Sequence, residues 1–300
     1  MSLAQHERAV KLAEKAGDRL GRLFGRLGTT EHPRGRITAA YRVARRVLAT
    51  LKRTPQTGRL MVIDGAFSSL QGAVEAAARE SLLAARDLGI EHAASTLAVY
   101  GIGLPDLPQY PAAERLGIEH ATNASVNVLA NVERQRRAAM TIVQSGGDLS
   151  LLLGDDGRAG MVTPGPVLRD AANWLAWSMA VALSISVEAG IANSGARLDF
   201  RQQAIAAIDQ KTTNCCLKVH GQVAKLNEDF TLTGTPRFAD KLPGPPFHWW
   251  CRTATALVLA EDANDALTRQ MREAALEELQ AQEISGKKTI WPSHARSGRR

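Results

Sequence analysis

A chain of 300 residues with 45% hydrophobic side chains has enough apolar surface to bury a core, which excludes disorder throughout. Aromatics make up only 5% while alanine recurs along the whole chain, a balance that suits helix packed on helix better than a β-sandwich. The net charge of +7 is unevenly placed: residues 1–60 carry fourteen Lys and Arg against four Asp and Glu, residues 286–300 carry five against none, and the body between is acidic.

Basic ends of this kind point to an anionic partner such as nucleic acid or an acidic protein surface, or else to a solvated helix face. The opening stretch MSLAQHERAVKLAEKAG places charges where a secretory signal carries its apolar region, so a cytoplasmic origin is expected. The first predicted element is a basic amphipathic helix within 1–27, with Val10, Leu12, Leu20, Leu23 and Leu27 set among Arg and Lys. A second spans 36–51, with Ile37, Tyr41, Ala44, Val47, Leu48 and Leu51 on one side and Arg42, Arg45 and Arg46 on the other; Lys52 and Arg53 follow directly. These five cations are the candidate nucleic-acid contacts. Aromatic side chains do not alternate with them, so backbone contact rather than base-specific reading is expected.

A third helix is predicted through FSSLQGAVEAAARESLLAARDL. The string LGIEHA occurs twice, at 88–93 and again 28 residues later. Two copies are too few for a solenoid and read as a duplicated helix start or turn, with His92 and His120 packed or solvated rather than ligating. Helical pattern continues through SVNVLANVERQRRAAMTIV, after which six glycines and two prolines fall between 145 and 166. That segment reads as a linker or turn-rich insertion and sets the expected organisation: a helical basic region over 1–145, the glycine-rich segment over 146–165, and a C-terminal domain over 166–285.

Residues 166–208 read as helical. Within them 171–187 carries no charge for seventeen residues but is interrupted by Asn173, Ser178, Ser184 and Ser186, and it falls short of a bilayer span. A buried helix, and no membrane, is expected. From 209 to 260 Pro, Gly and Thr become frequent, with β-prone FTLTG and TATALVL. A last helix over 262–282 places Leu267, Met271, Ala275 and Leu279 at four-residue steps, capped by Asp262 or Asn264, and a basic, disordered tail over 286–300 is expected. The fold class is mainly α: a helical N-terminal half, then a long helix leading into a small α+β C-terminal module.

All three cysteines lie in DQKTTNCCLKVHGQV at 209–223 and PPFHWWCRT at 245–253, together with His220 and His248. A structural zinc wants four N or S ligands as two local pairs; His248 with Cys251 is one such pair, and Cys216 with His220 is a better second than Cys216 with its neighbour Cys215. A Cys216–Cys251 disulfide would staple a segment with little core of its own and leave Cys215 free. A catalytic thiol would need a positioned base and an orienting partner, and nothing else marks a triad. The fourth reading makes the cysteines small buried hydrophobes.

The order Asp209-x-x-Thr212-Thr213-x-x-Cys216-x-x-Val219-x-Gly221, then Pro-Pro-x-His248-x-x-Cys251-Arg252, resembles the C-terminal signature of the phage Mu protein F-like family of head morphogenesis (minor capsid) proteins. Asp209, Thr212, Cys216, Gly221, His248, Cys251 and Arg252 occupy matching places, and Glu188 and Asn193 fit the helix before them. Trp249 stands where the family has proline, Thr253 where a third cysteine is frequent, and Val219 where it has leucine. The resemblance covers about 165–255 and no motif of the N-terminal half. It implies a virion component, in the host cytoplasm during assembly, bound near the portal, with portal and capsid proteins and packaged double-stranded DNA as partners. No Walker loop, HExxH or Gly-x-Ser-x-Gly is present, so no enzymatic role is expected. The alternative is a DNA-binding protein unrelated to capsids that uses the basic N-terminal helices.

Overall fold

A computed structural model of the chain describes residues 3–24, 32–104, 111–154, 160–195, 198–226, 228–231, 241–242, 245, 251–262 and 265–287. The described residues are mainly helical, with a small three-stranded antiparallel sheet toward the C-terminus. They divide into two compact units that interleave along the chain: 1–22, 85–117 and 175–300 form one, and 23–84 with 118–174 form the other.

The second unit is helix on helix. Helix α2 (Pro33–Ala49) opens with proline at its first turn, where the missing N–H costs nothing. It buries Ile37, Tyr41, Ala44 and Leu48, spaced for one face, while Val47, placed on that face by the sequence pattern, is 38% exposed. A 3₁₀ turn over Thr50–Arg53 then buries Leu51. Helix α3 (Gln56–Val99) runs twice the length predicted for it, since no proline interrupts the pattern; Ile63, Phe67, Leu70, Val74 and Leu82 form its buried stripe in this unit. Helix α4 (Pro111–Gln144) adds Val128, Val132, Ala139 and Val143. Ion pairs join α2 to α3 through Arg36 and Glu80, and α4 to α3 through Arg136 and Asp64. Both copies of LGIEHA lie inside helices, one in α3 and one in α4, rather than at helix starts.

The described part of the glycine-rich segment belongs to this unit and is packed. Asp148 turns the chain into the single turn α5 (Ser150–Leu153), its Oδ1 accepting from the Ser150 N–H at 2.8 Å, and Leu152 and Val162 are buried. Helix α6 (Gly165–Ser194) begins here and extends into the first unit; Ala171, Leu175, Met179, Leu183 and Val187 make it the buried helix expected from its composition. Among the described residues no helix is long and apolar enough to cross a membrane.

The first unit is built on the sheet. Residues predicted as a continuation of α6 instead form strand β1 (Phe200–Ile205), because helix α6 ends at Ser194 and β1 is paired on both sides. It lies between β2 (Val223–Lys225) and β5 (Ala254–Leu259), both antiparallel, with Gln203 opposite Val223 and Ala256. A separate two-stranded ladder joins β3 (Phe230–Thr231) to β4 (Lys241–Leu242). Alternation along β1 sends successive side chains to opposite faces. Phe200, with Leu257 of β5, packs among Leu97 and Ala93 of α3 and Leu183 and Val187 of α6. On the other face Gln203 meets helix α1 (Leu3–Phe24) and helix α8 (Ala266–Ile284): its Oε1 lies 2.8 Å from His6 Nε2, and its Nε2 donates to Thr268 Oγ1 at 3.0 Å.

Helix α1 buries a face of small residues, Ala9, Ala13 and Ala16, with Val10 and Leu20. Leu27 lies outside the described residues. Gly17 sits on that face, where a Cβ would stand 2.3 Å from the Arg252 carbonyl oxygen, so only glycine permits the approach. The cap of α8 is Asp265, not Asp262 or Asn264: its Oδ1 accepts from the Thr268 N–H at 2.7 Å. Its other carboxylate oxygen lies 2.6 Å from His6 Nδ1. Burial pushes the Asp265 carboxyl up, but the Thr268 and His6 bonds outweigh it and hold the group below the usual range. Residues 288–300 of the basic tail lie outside the described residues.

Candidate functional site

The signature residues assemble around the turn that follows β1. Asp209 folds the turn on itself, its Oδ1 accepting from the Lys211 N–H at 2.9 Å while its carbonyl accepts from the Thr212 N–H at 2.9 Å. Arg252 then reaches across from the other half of the signature, donating through Nη2 to Asp209 Oδ1 at 2.6 Å and to Thr212 Oγ1 at 3.0 Å. That hydroxyl donates in turn to the Ala207 carbonyl at 2.6 Å. The hydrogen bond from Arg252 is the main reason the Asp209 carboxyl falls to about 2, ahead of the opposing effect of burial.

Two further side chains hold the same turn from behind. Gln282 of α8 donates through Nε2 to the Thr212 carbonyl at 3.1 Å, and Lys287, just past that helix, donates through Nζ to the carbonyls of Gln210 and Thr212 at 2.5 and 2.7 Å. Neither carries a local signal in the sequence, since each lies seventy or more residues from the turn. The contact of His6 with Gln203, 197 residues apart, is equally without a local signal.

Helix α7 (Asn214–Val219) leaves the turn and carries the cysteines inward. Cys215, Cys216 and Cys251 are all buried thiols, packed with Ala204, Ala206, Val219 and Phe230. Cys216 Sγ lies 3.7 Å from Cys251 Sγ. Burial first, then the neighbouring Cys215 and Cys251 side chains, pushes the Cys216 thiol up, so a thiolate nucleophile is disfavoured here. Gly221 closes α7 at φ 75, a conformation open to glycine, and its N–H donates to the Ala204 carbonyl at 2.8 Å; a Cβ there would lie 2.9 Å from Arg272 Cγ.

The donor set can be tested against zinc. Two thiolates on one tetrahedral zinc lie about 3.8 Å apart at Zn–S distances of about 2.3 Å, which the Cys216–Cys251 separation of 3.7 Å matches. His220 does not fit. Its Nδ1 accepts from the Ala206 N–H at 2.9 Å, which places the ring proton on Nε2 and leaves no lone pair for a metal, whereas a metal-bound histidine donates through its second nitrogen. Burial drives the same ring down to about 4, so it is held neutral. His248 lies outside the described residues, and among those described no cluster of three or more His, Cys, Asp or Glu could hold an ion.

His92, one of the paired histidines, is packed: buried, with Nε2 donating to the Thr255 carbonyl at 2.9 Å. The side chain of His120 lies outside the described residues. Glu188 and Asn193 are exposed on α6, and Glu188 borders an open groove of about 300 Å³ with Leu183, Val187, Leu226 and Leu257. In the other unit Arg42, Arg45, Arg46, Lys52 and Arg53 are all exposed. Arg45 donates to the Leu153 carbonyl at 2.5 Å, and the charge of Lys52 adds to the Ser150 hydrogen bonds that lower the Asp148 carboxyl.

Comparison of the chain with models of known families, with curated proteins and with solved structures finds no match.

Proposed function

We propose that this chain is a minor head protein of a bacteriophage or prophage, acting in head morphogenesis and docked near the portal. The observation that supports the reading is the convergence of the two halves of the signature: Asp209 and Thr212 meet Arg252, and Cys216 meets Cys251, although 35 or more residues separate the partners. Residues that resemble a family motif here form one braced turn rather than scattered positions. With the cysteines buried and the polar groups spent on holding backbone, the arrangement supports a structural and interaction role rather than catalysis. In this role the chain is built in the host cytoplasm and retained in the virion. Co-expression with phage portal and capsid proteins tests the reading. The chain is expected to comigrate with portal or procapsid through size exclusion, and its elution alone would remove the proposal.

A DNA contact is the second reading, and the exposed cations of α2 and the following turn favour it. Arg42, Arg45 and Arg46 stand at helical steps of three and one, so they share one side of α2 and extend toward Lys52 and Arg53. Neutralising Arg42, Arg46 and Arg53 together with glutamine is expected to weaken retention on double-stranded DNA. The plot of log affinity against log salt should flatten by about one for each phosphate that no longer meets a cation. The replaced groups are exposed, so circular dichroism should not change. An unaltered salt slope would remove DNA from the partners.

A further inference from the structure

We infer that Cys216 and Cys251 are the two halves of an oxidative cross-link, a disulfide that joins α7 to the strand approach of β5 when the protein meets a small oxidant. The observation is the juxtaposition of two buried sulfurs 3.7 Å apart that come from positions 35 residues apart. A disulfide brings its sulfurs to about 2.05 Å, so the pair must close by about 1.6 Å, shared between two side chains that already face each other. Cys215 is the poorer partner for Cys216, although its side chain also lies close to that thiol. It directly precedes Cys216 in helix α7, where a disulfide between adjacent residues would strain the backbone, and its Sγ lies 3.2 Å from Thr213 Oγ1. The metal alternative lacks its remaining ligands among the described residues, because His220 spends its lone pair on the Ala206 N–H.

A cavity of about 20 Å³, large enough for one water-sized molecule, is lined by Cys216 together with Arg252, Thr212, Thr213, Thr253 and Lys211. A peroxide reaching it can oxidise Cys216: the thiolate attacks one peroxide oxygen, the O–O bond breaks, and Cys216 becomes a sulfenic acid with release of water. The Cys251 thiol then displaces hydroxide from that sulfur, forming the S–S bond and a second water. Two thiols and one hydrogen peroxide thus give one disulfide and two waters. Because burial disfavours the thiolate, oxidation is slow, and the same burial shields the bond from thiol reductants once made. The thiols therefore persist in a reducing cytoplasm and cross-link outside it. This chemistry rests on the packing of the module alone and holds whether or not the chain serves in a phage head.

The test uses the full-length protein. It is purified under reducing conditions, analysed for bound zinc, exposed to hydrogen peroxide, alkylated after denaturation and mapped by peptide mass spectrometry. The expected result is no stoichiometric zinc and one peptide pair linked through Cys216 and Cys251, two hydrogens lighter than its reduced parts, with Cys215 alkylated. The thermal midpoint should rise by about 5 °C or more on oxidation and return with a phosphine reductant. Cys215→Ser should keep both the link and the shift, and Cys216→Ser should lose both. Three alkylated thiols after peroxide, a link through Cys215, or zinc bound with protected thiols would each overturn the proposal, and all are read on the wild-type chain.

Discussion

Acidification from pH 7 to pH 4 is expected to remove about 3 kcal/mol of folding stability through His220 alone. The ring is buried, is held neutral by that burial, and its protonation is driven down to about 4 from an ordinary 6.5. Between those values the unfolded chain takes up a proton that the folded chain refuses, so stability falls as the pH drops through 6.5 and the loss is complete near 4. Burial lowers His92 as well, which acts in the same direction. Asp209 works in a lower window and for a different reason: its carboxyl is depressed to about 2, so its contribution is present above about 3.8 and disappears as the pH falls toward 2. Its side chain is 42% exposed, so solvent screening keeps that contribution near 1 kcal/mol. Urea unfolding at pH 7, 5.5 and 4.5 measures the slope. In His220→Asn an amide oxygen can accept from the Ala206 N–H without titrating, and the loss on acidification should shrink by most of the His220 share. A wild-type midpoint that stays level from pH 7 to 4.5 would show that His220 is not the buried neutral acceptor described above.

The sequence-readable part of this protein is what local spacing decides. The stripes of α2 and α8 and the uncharged run of α6 name buried faces correctly at Ile37, Tyr41, Leu48, Met271, Ala275, Leu279, Leu175 and Leu183, because one period of side chains reports one apolar face. Strand β1 escapes that logic. FRQQAI is rich in residues that suit a helix, and only pairing with β2 on one edge and β5 on the other makes it a strand. The cap of α8 escapes for a related reason, since EDAND offers several capping side chains and the choice falls on the one whose carboxylate also meets His6. At the candidate site the split is similar. Asp209, Thr212, Cys216, Gly221, Cys251 and Arg252 are visible as a spaced signature, but the side chains that hold their turn are not. Gln282 and Lys287 reach it from distant parts of the chain, as His6 reaches Gln203 and Asp265, and no local pattern encodes such a partner.

Helix α1 shows what that distant placement means energetically, and two glycines one turn apart on it should respond in opposite directions to the same added methyl group. Gly17→Ala puts a carbon 2.3 Å from the Arg252 carbonyl oxygen. The obstacle is backbone, in the residue that braces Asp209 and precedes β5, so neither side can yield by a rotamer change. Helix α1 must lift, and the cost of such overpacking is about 1–3 kcal/mol, more than the helix propensity gained by replacing glycine. Lifting also strains the 2.6 Å contact between His6 and Asp265 near the start of the same helix. Gly21→Ala places its methyl 3.6 Å from Arg252 Cγ, an ordinary contact with a flexible chain, and should gain about 0.5–1 kcal/mol from propensity alone. Paired thermal melts decide the matter: the midpoint should fall for Gly17→Ala and hold or rise for Gly21→Ala. Equal shifts in the two variants would mean that α1 does not press on the Arg252 backbone, and that the N-terminal helix is not a part of the module that carries the signature.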